Sequence, residues 1–315
     1  MTIGGYGHRP TKNERREAAR ERARQMRVDQ VKKDKRRKAF IQLGVIVGVL
    51  AVVGIVGGVI VTNMPQPGPR PANMASDGIV LTAELGTDGK PTGKVVAEKS
   101  SALSPGAEPV NTTPVPDKLN IVEYLDYMCP ICGGFDRNDS EVMFSRVKSG
   151  EATLELHPIA ILNPNSQGTM YSTRAANAAA CVANFEPNGF WDFNQLLFAN
   201  QPAEGTTGLD DSQLVSYAQQ ATGNTGVSLS DCINNRTFGG WVSEATKRVT
   251  GATTLPNSDV KFSGTPTVIV NGVQYVAKFE QRDNDPAYTS PVEFEAFLLE
   301  QQGKLTGSAT PTPAP

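Results

Sequence analysis

The sequence is poor in the side chains that build metal centres. Its 315 residues include only two histidines, His8 near the N-terminus and His157 in a predicted strand, and only four cysteines. Cys129 and Cys132 form the single Cys-x-x-Cys pair, and the other two cysteines stand alone and far apart. A four-thiolate zinc site usually draws on two such pairs. The sequence therefore favours redox chemistry at the pair over half of a zinc site or an inert structural disulfide. It predicts no metal and no cofactor.

Charged residues are missing from one long stretch. None occurs between Lys38 and Arg70, and residues 39–62 within this gap are rich in Val, Ile, Leu and Gly. These 24 residues suffice to cross a bilayer core, which needs about 20. The apolar region of a cleavable signal peptide runs only about 7 to 15 residues and ends at a small-residue cleavage site, unlike the Asn-Met-Pro that follows here. We therefore predict an uncleaved transmembrane helix.

Net charge changes sign across this stretch. Residues 1–38 hold 14 Lys and Arg against 5 Asp and Glu, a net charge of +9, whereas the other 277 residues hold 16 against 27, a net charge of −11. Because the basic cluster at 32–38 directly precedes the apolar stretch, the positive-inside rule places the N-terminus in the cytoplasm and the C-terminal bulk outside the membrane. Basic runs also occur in nucleic-acid-binding segments, but topology explains this one more simply. We predict a single-pass protein of the cell membrane with no nucleic-acid partner.

Composition divides the rest of the chain. Proline occupies every second position from Pro65 to Pro71, which is typical of an extended spacer, and the closing residues have a disordered composition. About 225 residues without an internal repeat lie between these segments, enough for one sizeable core. The predicted organisation is a basic cytoplasmic tail (1–38), a transmembrane anchor (39–62), a Pro-rich linker (63–77), a folded domain (78–303) and a disordered tail (304–315).

Apolar periodicity predicts that the folded domain is α/β. A helical stretch covers about 167–252, and strand-like runs occupy 78–85, a short piece around Val95, 118–127, 152–162, 267–270 and 273–277. Asn271-Gly272 is typical of a type I′ hairpin, which needs φ > 0 at both positions. The final helix should begin at Ser290-Pro291-Val292-Glu293, which combines a capping box with proline at the first helical position, and Gly303 suits its end.

The Cys-x-x-Cys pair lies where a predicted strand gives way to a predicted helix. If Cys129 takes the N-cap position, Pro130 falls at the first helical position, where its missing N–H costs nothing. The N–H groups of Ile131 and Cys132 then point at the first sulfur. Helix-terminal donors can lower a cysteine pKa from about 8.5 to roughly 3.5 to 7.5, and the thiolate is the reactive form. We therefore predict Cys129 as the nucleophile and Cys132 as the resolving thiol.

Two motifs together resemble the DsbA family of thioredoxin-fold disulfide oxidoreductases. They are Tyr-Leu-Asp-Tyr-Met-Cys-Pro-Ile-Cys at 124–132 and, after the helical stretch, Gly-Thr-Pro-Thr-Val-Ile-Val-Asn-Gly at 264–272. The likeness covers roughly residues 78–303 and is in particular to membrane-anchored members of Gram-positive and actinobacterial type. It implies an α/β thioredoxin-like fold with a helical insertion, preceded in this chain by one N-terminal transmembrane helix.

The resemblance also assigns residues by position. The Cys-x-x-Cys pair matches the redox pair of the family, and Pro266 matches its cis-proline, which lies beside that pair. Thr265, which precedes the proline, is then expected to offer backbone groups to a bound substrate chain, and Pro130 and Ile131 to border the same substrate. From the residues alone, the alternative for Pro266 is a trans-proline that begins a strand.

Acidic residues, together with one residue that differs from the family pattern, complete the predicted site. Glu123 should interrupt an apolar row on one strand face. Thioredoxin-fold enzymes often have a buried acid at this spacing, which moves the proton of the resolving thiol and whose pKa burial would raise. The alternative is a charge at a solvated strand edge. Asp126 is expected to be structural or to act on the helix terminus, and His157 to be structural. Ile131 stands where strongly oxidising relatives carry His, which leaves the oxidising strength open.

Cys181 and Cys232 both lie in the helical stretch. An extracytoplasmic compartment is oxidising, so we predict that they form a structural disulfide, the alternative being two separate buried thiols.

The predicted function is that of a thiol:disulfide oxidoreductase that forms disulfides in exported proteins through its Cys-Pro-Ile-Cys pair. Its expected partners are reduced exported proteins and a membrane quinone-linked reoxidant of the DsbB or VKOR type. The alternatives are an extracytoplasmic reductase or isomerase, for instance in cytochrome maturation, and an anchored chaperone or binding module whose cysteines are simply oxidised.

Overall fold

The structure is a computed structural model that describes residues 68–277, the backbone of 280–282 and 285–288, and residues 289–307. The predicted basic tail (1–38), the anchor (39–62), the start of the linker (63–67) and the end of the tail (308–315) lie outside the described residues and stay predictions. Within the described ranges, none of the helices combines the length and the apolarity that crossing a bilayer requires.

A six-stranded mixed sheet with the order β2-β1-β4-β3-β5-β6 forms the centre of the domain. Strands β3 and β4 are parallel and all other neighbours in this sheet are antiparallel. A separate hairpin pairs β7 with β8. The strands are β1 (Ile79–Leu85), β2 (Pro91–Ala97), β3 (Leu119–Leu125), β4 (Ala152–Pro158), β5 (Thr267–Val270), β6 (Val273–Tyr275), β7 (Glu280–Arg282) and β8 (Asp285–Tyr288).

Seven α-helices lie in the described residues, five of them between β4 and β5. They are α1 (Pro130–Lys148), α2 (Tyr171–Phe185), α3 (Phe190–Ala199), α4 (Asp211–Thr222), α5 (Val227–Asn234), α6 (Gly239–Gly251) and α7 (Pro291–Thr306). The predicted α/β architecture with a helical insertion is thus confirmed, although the short α5 and the β7–β8 hairpin were not predicted. The parallel β3–α1–β4 unit matters most for function, since it carries the Cys-x-x-Cys pair at its strand-to-helix junction.

The sheet is buried on both faces. Apolar residues of β3 on one face, Leu119, Ile121 and Leu125, join the large core that also contains residues of α1 and α7. On the other face Tyr124 packs in a smaller cluster with residues that include Ile269. Every residue of β4 is buried, as expected for a strand with neighbours on both sides.

The helical insertion is built around α2, which is Ala-rich and buried over nearly its whole length. Small side chains allow the neighbouring helices to approach closely on every side. A disulfide joins Cys181 of α2 to Cys232 of α5, with 5.9 Å between their Cα atoms. This is the predicted pair, and the alternative of two separate thiols is wrong.

The turn between β5 and β6 and the N-cap of α7 were predicted correctly from the sequence. Asn271 and Gly272 have φ of 51° and 82° between β5 and β6, as a type I′ turn requires. Ser290 caps α7 by accepting a hydrogen bond from the Glu293 N–H. The predicted end at Gly303 is wrong, because α7 continues to Thr306 and ends where Gly307 supplies the left-handed conformation, with φ of 64°.

The predicted Pro-rich linker also needs correction, because residues 68–77 belong to the domain. Arg70 is buried, and its guanidinium lies 2.6 Å from Asp77. Asp77 also accepts hydrogen bonds from Arg248 Nε at 2.7 Å and Trp241 Nε1 at 3.0 Å. The contacts of Asp77 with Arg248 and Trp241 attach this segment to α6. The segment is therefore not a solvated spacer.

Candidate active site

The Cys-x-x-Cys pair begins the helix that the sequence predicted. Cys129 is the N-cap residue of α1, in an extended conformation, and Pro130 is its first helical residue. The Cys129 N–H donates to the Asp126 carbonyl at 2.9 Å, and the Cys129 carbonyl accepts the first intrahelical hydrogen bond from Gly133 at 3.1 Å. The backbone of Cys129 is therefore held at both its donor and its acceptor.

The sulfur of Cys129 faces neutral hydrogen-bonding groups. In this reduced pair the Cys129 thiol donates to the Thr265 carbonyl at 3.2 Å. The pKa of Cys129 is lowered to about 7, chiefly by a hydrogen bond from the Cys132 thiol, with smaller contributions from Thr265 and from the N–H groups of Cys132 and Ile131, and against the opposing effect of burial. The helix-terminal N–H groups thus lower the pKa as the sequence predicted, but the Cys132 thiol, which was not predicted to be a donor, contributes more.

Cys132 lies in the opposite environment. It is completely buried, and burial together with the adjacent Cys129 raises its pKa well above the ordinary range. The charge of Glu123 acts in the same direction. Of the two cysteines, only Cys129 is therefore in an environment that favours the thiolate near neutral pH. The assignment of nucleophile and resolving thiol stays a prediction that this asymmetry supports.

The loop before β5 brings the remaining predicted contact residues to the pair. The Thr265–Pro266 peptide bond is cis, as the resemblance implied and contrary to the trans alternative. Pairing of β5 with β3 places this loop beside the helix start. On the other side Pro130 and Ile131 are exposed, with 39% of Ile131 accessible. A chain docking over Cys129 would thus meet Ile131 and the Thr265 backbone.

Three carboxyl groups of β3 and α1 are buried, and the charge of one of them, Glu123, acts on Cys132. Glu123 of β3 is only 4% exposed, so the alternative of a solvated strand edge is wrong. Burial, followed by the charges of Asp136 and Asp139, raises its pKa to about 8. Burial also raises the pKa of Asp136 to about 7 and that of Asp139 to about 6. No group of three or more His, Cys, Asp or Glu side chains in the described ranges is placed to hold a metal ion.

Two other predicted residues have structural contacts. Asp126 is fully buried and accepts hydrogen bonds from the N–H groups of Met128 and Leu162, both at 2.9 Å. It therefore shapes the loop that leads to the cysteines, consistent with the structural reading. His157 stacks on Tyr124 with 4.5 Å between ring centroids, and its Nε2 lies 3.0 Å from Glu155.

Sequence reasoning missed a group of amide side chains that contact the site from the insertion. Gln201, just beyond α3, donates from Nε2 to the carbonyls of Cys129 at 2.8 Å and Tyr127 at 3.2 Å. Asn194 of α3 accepts from the Tyr127 hydroxyl at 3.0 Å, and Gln195 donates to Asp136 at 2.8 Å. No motif or periodicity marks these residues, because their partners lie more than 50 residues away along the chain.

Comparison with known proteins decides the family. A family model described as thioredoxin matches residues 117–287, which include the redox pair and the cis-proline. The chain belongs to the thioredoxin family. The predicted family resemblance is thereby confirmed, and with it the thioredoxin-like fold of the described domain.

Two curated proteins are similar to about half of the chain. Serine/threonine-protein kinase PknE of Mycobacterium tuberculosis is 27% identical over 162 residues, which cover 50% of this chain and 27% of the kinase. Disulfide bond formation protein D of Bacillus subtilis is 25% identical over 153 residues, which cover 49% of this chain and 63% of that protein. The match thus spans less than two thirds of the length of either relative.

Solved structures of similar proteins include two from Mycobacterium tuberculosis. Reduced DsbA is 24% identical, with 75% of this chain and 94% of that chain covered and a TM-score of 0.49. Reduced DsbG, a disulfide bond oxidoreductase, is 27% identical, with 66% of this chain and 84% of that chain covered and a TM-score of 0.46.

Proposed function

We propose that this member of the thioredoxin family is a protein thiol:disulfide oxidoreductase that forms disulfides in exported proteins. The observation that carries the proposal is the asymmetry of the pair. Cys129 has a pKa lowered to about 7 and lies beside the cis-proline loop, whereas Cys132 is buried with a raised pKa. One activated thiol and one shielded thiol are what sequential thiol–disulfide exchange requires.

The reaction proceeds in two exchanges. A substrate thiolate attacks the Cys129 sulfur of the oxidised pair, the Cys129–Cys132 bond breaks, and Cys132 leaves and takes up a proton. The second thiolate of the substrate then attacks the substrate sulfur of this mixed disulfide and releases Cys129 as a thiolate. Two electrons pass from the substrate to the pair, and the substrate leaves with a new disulfide.

Glu123 supplies the proton that the leaving Cys132 sulfur needs. A buried carboxyl with a pKa of about 8 is still protonated at neutral pH and can therefore act as an acid. During reoxidation the same group, once ionised, accepts the proton of Cys132. Burial at the base of the pair supports this role because bulk water is excluded there.

The compartment and the reoxidant are part of the proposal. We place the domain outside the cytoplasmic membrane because of the charge asymmetry about residues 39–62. A membrane quinone-linked protein of the DsbB or VKOR type would take the two electrons from the reduced pair. The structural disulfide between Cys181 and Cys232 supports an oxidising compartment.

One observation favours the opposite direction of electron flow, from the reduced pair to a substrate disulfide. A pKa of about 7 for Cys129 equals the roughly 7 of reducing thioredoxin, whereas strong oxidants of this fold reach about 3.5. An extracytoplasmic reductase or isomerase would therefore use the same pair in the opposite sense. Equilibration of the Cys129/Cys132 couple with glutathione decides between these directions.

The activity itself is tested by refolding of scrambled ribonuclease and by reduction of insulin. The full chain should accelerate at least one of them, and Cys129→Ala should abolish the acceleration. A Cys181→Ala/Cys232→Ala variant that still folds should retain it, since these cysteines are bonded to each other and take no part in the exchange. Equal rates for the wild type and Cys129→Ala would instead support a chaperone or binding module.

A further inference from the structure

Gln201 makes an unusual contact with the nucleophilic cysteine. Its side-chain amide donates a 2.8 Å hydrogen bond to the carbonyl of Cys129 itself and a 3.2 Å hydrogen bond to the carbonyl of Tyr127. Because the Cys129 carbonyl already accepts from Gly133 at 3.1 Å, the amide is its second donor. Both carbonyl lone pairs are therefore occupied, one from within α1 and one from the insertion.

The glycine after the redox pair provides the space for this amide. A Cβ atom on Gly133 would overlap Gln201 Oε1 and lie 2.8 Å from Gln201 Cδ. Gly133 does not have the positive φ that usually explains a glycine, and alanine is the better residue within a helix. The end of the Gln201 side chain thus occupies the space that a Cβ atom at position 133 would need.

The contact joins two parts of the fold that are separate in sequence. Gln201 follows α3, whose Asn194 and Gln195 contact Tyr127 and Asp136. The amide groups of this segment therefore reach the loop before the pair, the nucleophile itself and the helix after it. All of these contacts are made by neutral amide side chains, to backbone carbonyls, to the Tyr127 hydroxyl or to the Asp136 carboxyl group.

We propose that Gln201 is a positioning residue for the redox pair, which acts through the Cys129 backbone to hold the Cys129 sulfur against the start of α1 and the Thr265 carbonyl. The inference rests on the proposed exchange function and adds the helical insertion to the groups that set its equilibrium. Both hydrogen bonds of Gln201 go to backbone carbonyls, so its effect on the sulfur depends on geometry.

Loss of this amide should weaken the pair as an oxidant. A thiolate that is held less well against the N–H groups of α1 is less stabilised, and stabilisation of the reduced form is what makes a pair oxidising. The equilibrium constant for exchange with glutathione should therefore shift toward the protein disulfide by roughly two- to tenfold, the worth of one hydrogen bond. The alkylation pKa of Cys129 should rise in parallel.

Gln201→Met is the sharpest variant, because it keeps the length of the side chain and removes the donor. Asn200→Ala is the matched control, since its exposed amide donates to Leu196 within α3. The glutathione equilibrium and the Cys129 alkylation pKa should change in Gln201→Met and not in Asn200→Ala. Unfolding of each full-length variant, followed by tryptophan fluorescence, shows separately whether stability has changed.

Gly133→Ala tests the same contact from its other side, with the Gln201 side chain still present. It should shift the glutathione equilibrium as Gln201→Met does, because the new methyl group displaces the amide. In a Gln201→Ala background, Gly133→Ala should cause no further shift of the glutathione equilibrium, which a double-mutant cycle measures. Gly251→Ala, at a helical glycine with nothing near its missing Cβ, controls for the general effect of alanine.

The outcomes separate this inference from the proposed function. If the wild-type pair does not exchange with glutathione, the proposed function fails. If the wild type exchanges and Gln201→Met has the same equilibrium constant and the same Cys129 pKa, the positioning role is refuted, whatever happens to stability. If Gln201→Met does not fold, an unchanged equilibrium in Gly133→Ala refutes it equally.

Discussion

Replacing Glu123 by Gln removes a buried carboxyl whose pKa is raised to about 8 and whose charge acts on Cys132. Its pKa rises from 4.5 to about 8 because burial, and then the charges of Asp136 and Asp139, disfavour the ionised form. In the unfolded chain the same carboxyl ionises near its ordinary value. Above that value, folding must therefore keep the carboxyl protonated or bury its charge, and both alternatives cost free energy.

The sign and the size of the effect follow from this difference. A group whose folded pKa is raised carries no penalty below its unfolded pKa, and its penalty grows until the pH passes the folded pKa. Each pKa unit corresponds to about 1.4 kcal/mol. The cost of Glu123 should therefore be about 1 kcal/mol at pH 5, about 3 kcal/mol at pH 7 and about 5 kcal/mol well above pH 8.

Denaturant unfolding at several pH values measures this cost. Both tryptophans of the chain, Trp191 and Trp241, are buried in the domain, so the fluorescence of the full chain reports on its unfolding. The stability of Glu123→Gln relative to the wild type should increase by about 2 kcal/mol between pH 5 and pH 7. Glu141→Gln, at an exposed position of α1, should show no such trend. Parallel pH profiles for the wild type and Glu123→Gln would refute the buried-acid reasoning.

Four other predictions concern the cysteines and the topology. Cys132→Ala should trap substrates on Cys129 as mixed disulfides that a reductant releases, and a gel that shows no such adducts would contradict the assigned roles. The alkylation pKa of Cys129 should change little between low and high salt, because hydrogen bonds and not a cation lower it. Loss of the Cys181–Cys232 disulfide, whose cysteines are 51 residues apart, should cost about 4 kcal/mol in denaturant unfolding by the chain-entropy model; a loss below 1 kcal/mol would contradict that model here. If residues 39–62 span the membrane, protease added to intact spheroplasts should remove the domain and spare the N-terminal tail, and the reverse pattern would exclude the proposed topology.

Features decided by neighbours in the sequence could be predicted. The position of Cys129 at the start of α1 depends on Pro130 and on two N–H groups within three residues. The Asn271-Gly272 turn is equally local. The burial of Glu123 followed from alternation along one strand. In each case the residues that decide the geometry lie within one turn or one strand.

Features decided by distant partners could not be predicted. The Pro-rich composition of residues 68–77 indicates a spacer, but Asp77 finds Arg248 at a sequence separation of 171 residues. Gln201 likewise meets Cys129 across 72 residues. A lone glutamine after a helix has no pattern that distinguishes it from a solvated one. Only the packing of α3 against the redox helix gives it a partner.

The chain lowers the pKa of Cys129 without a cationic side chain. Ile131 occupies the position where a histidine would act, and the groups that lower the Cys129 pKa are a thiol, Thr265 and backbone N–H groups. A charge acts over several ångströms, whereas a neutral hydrogen bond weakens steeply with misalignment. The reactivity of Cys129 in this chain therefore depends on how accurately its backbone is held. The amide of Gln201, which contacts that backbone from the insertion, contributes to the chemistry through position alone.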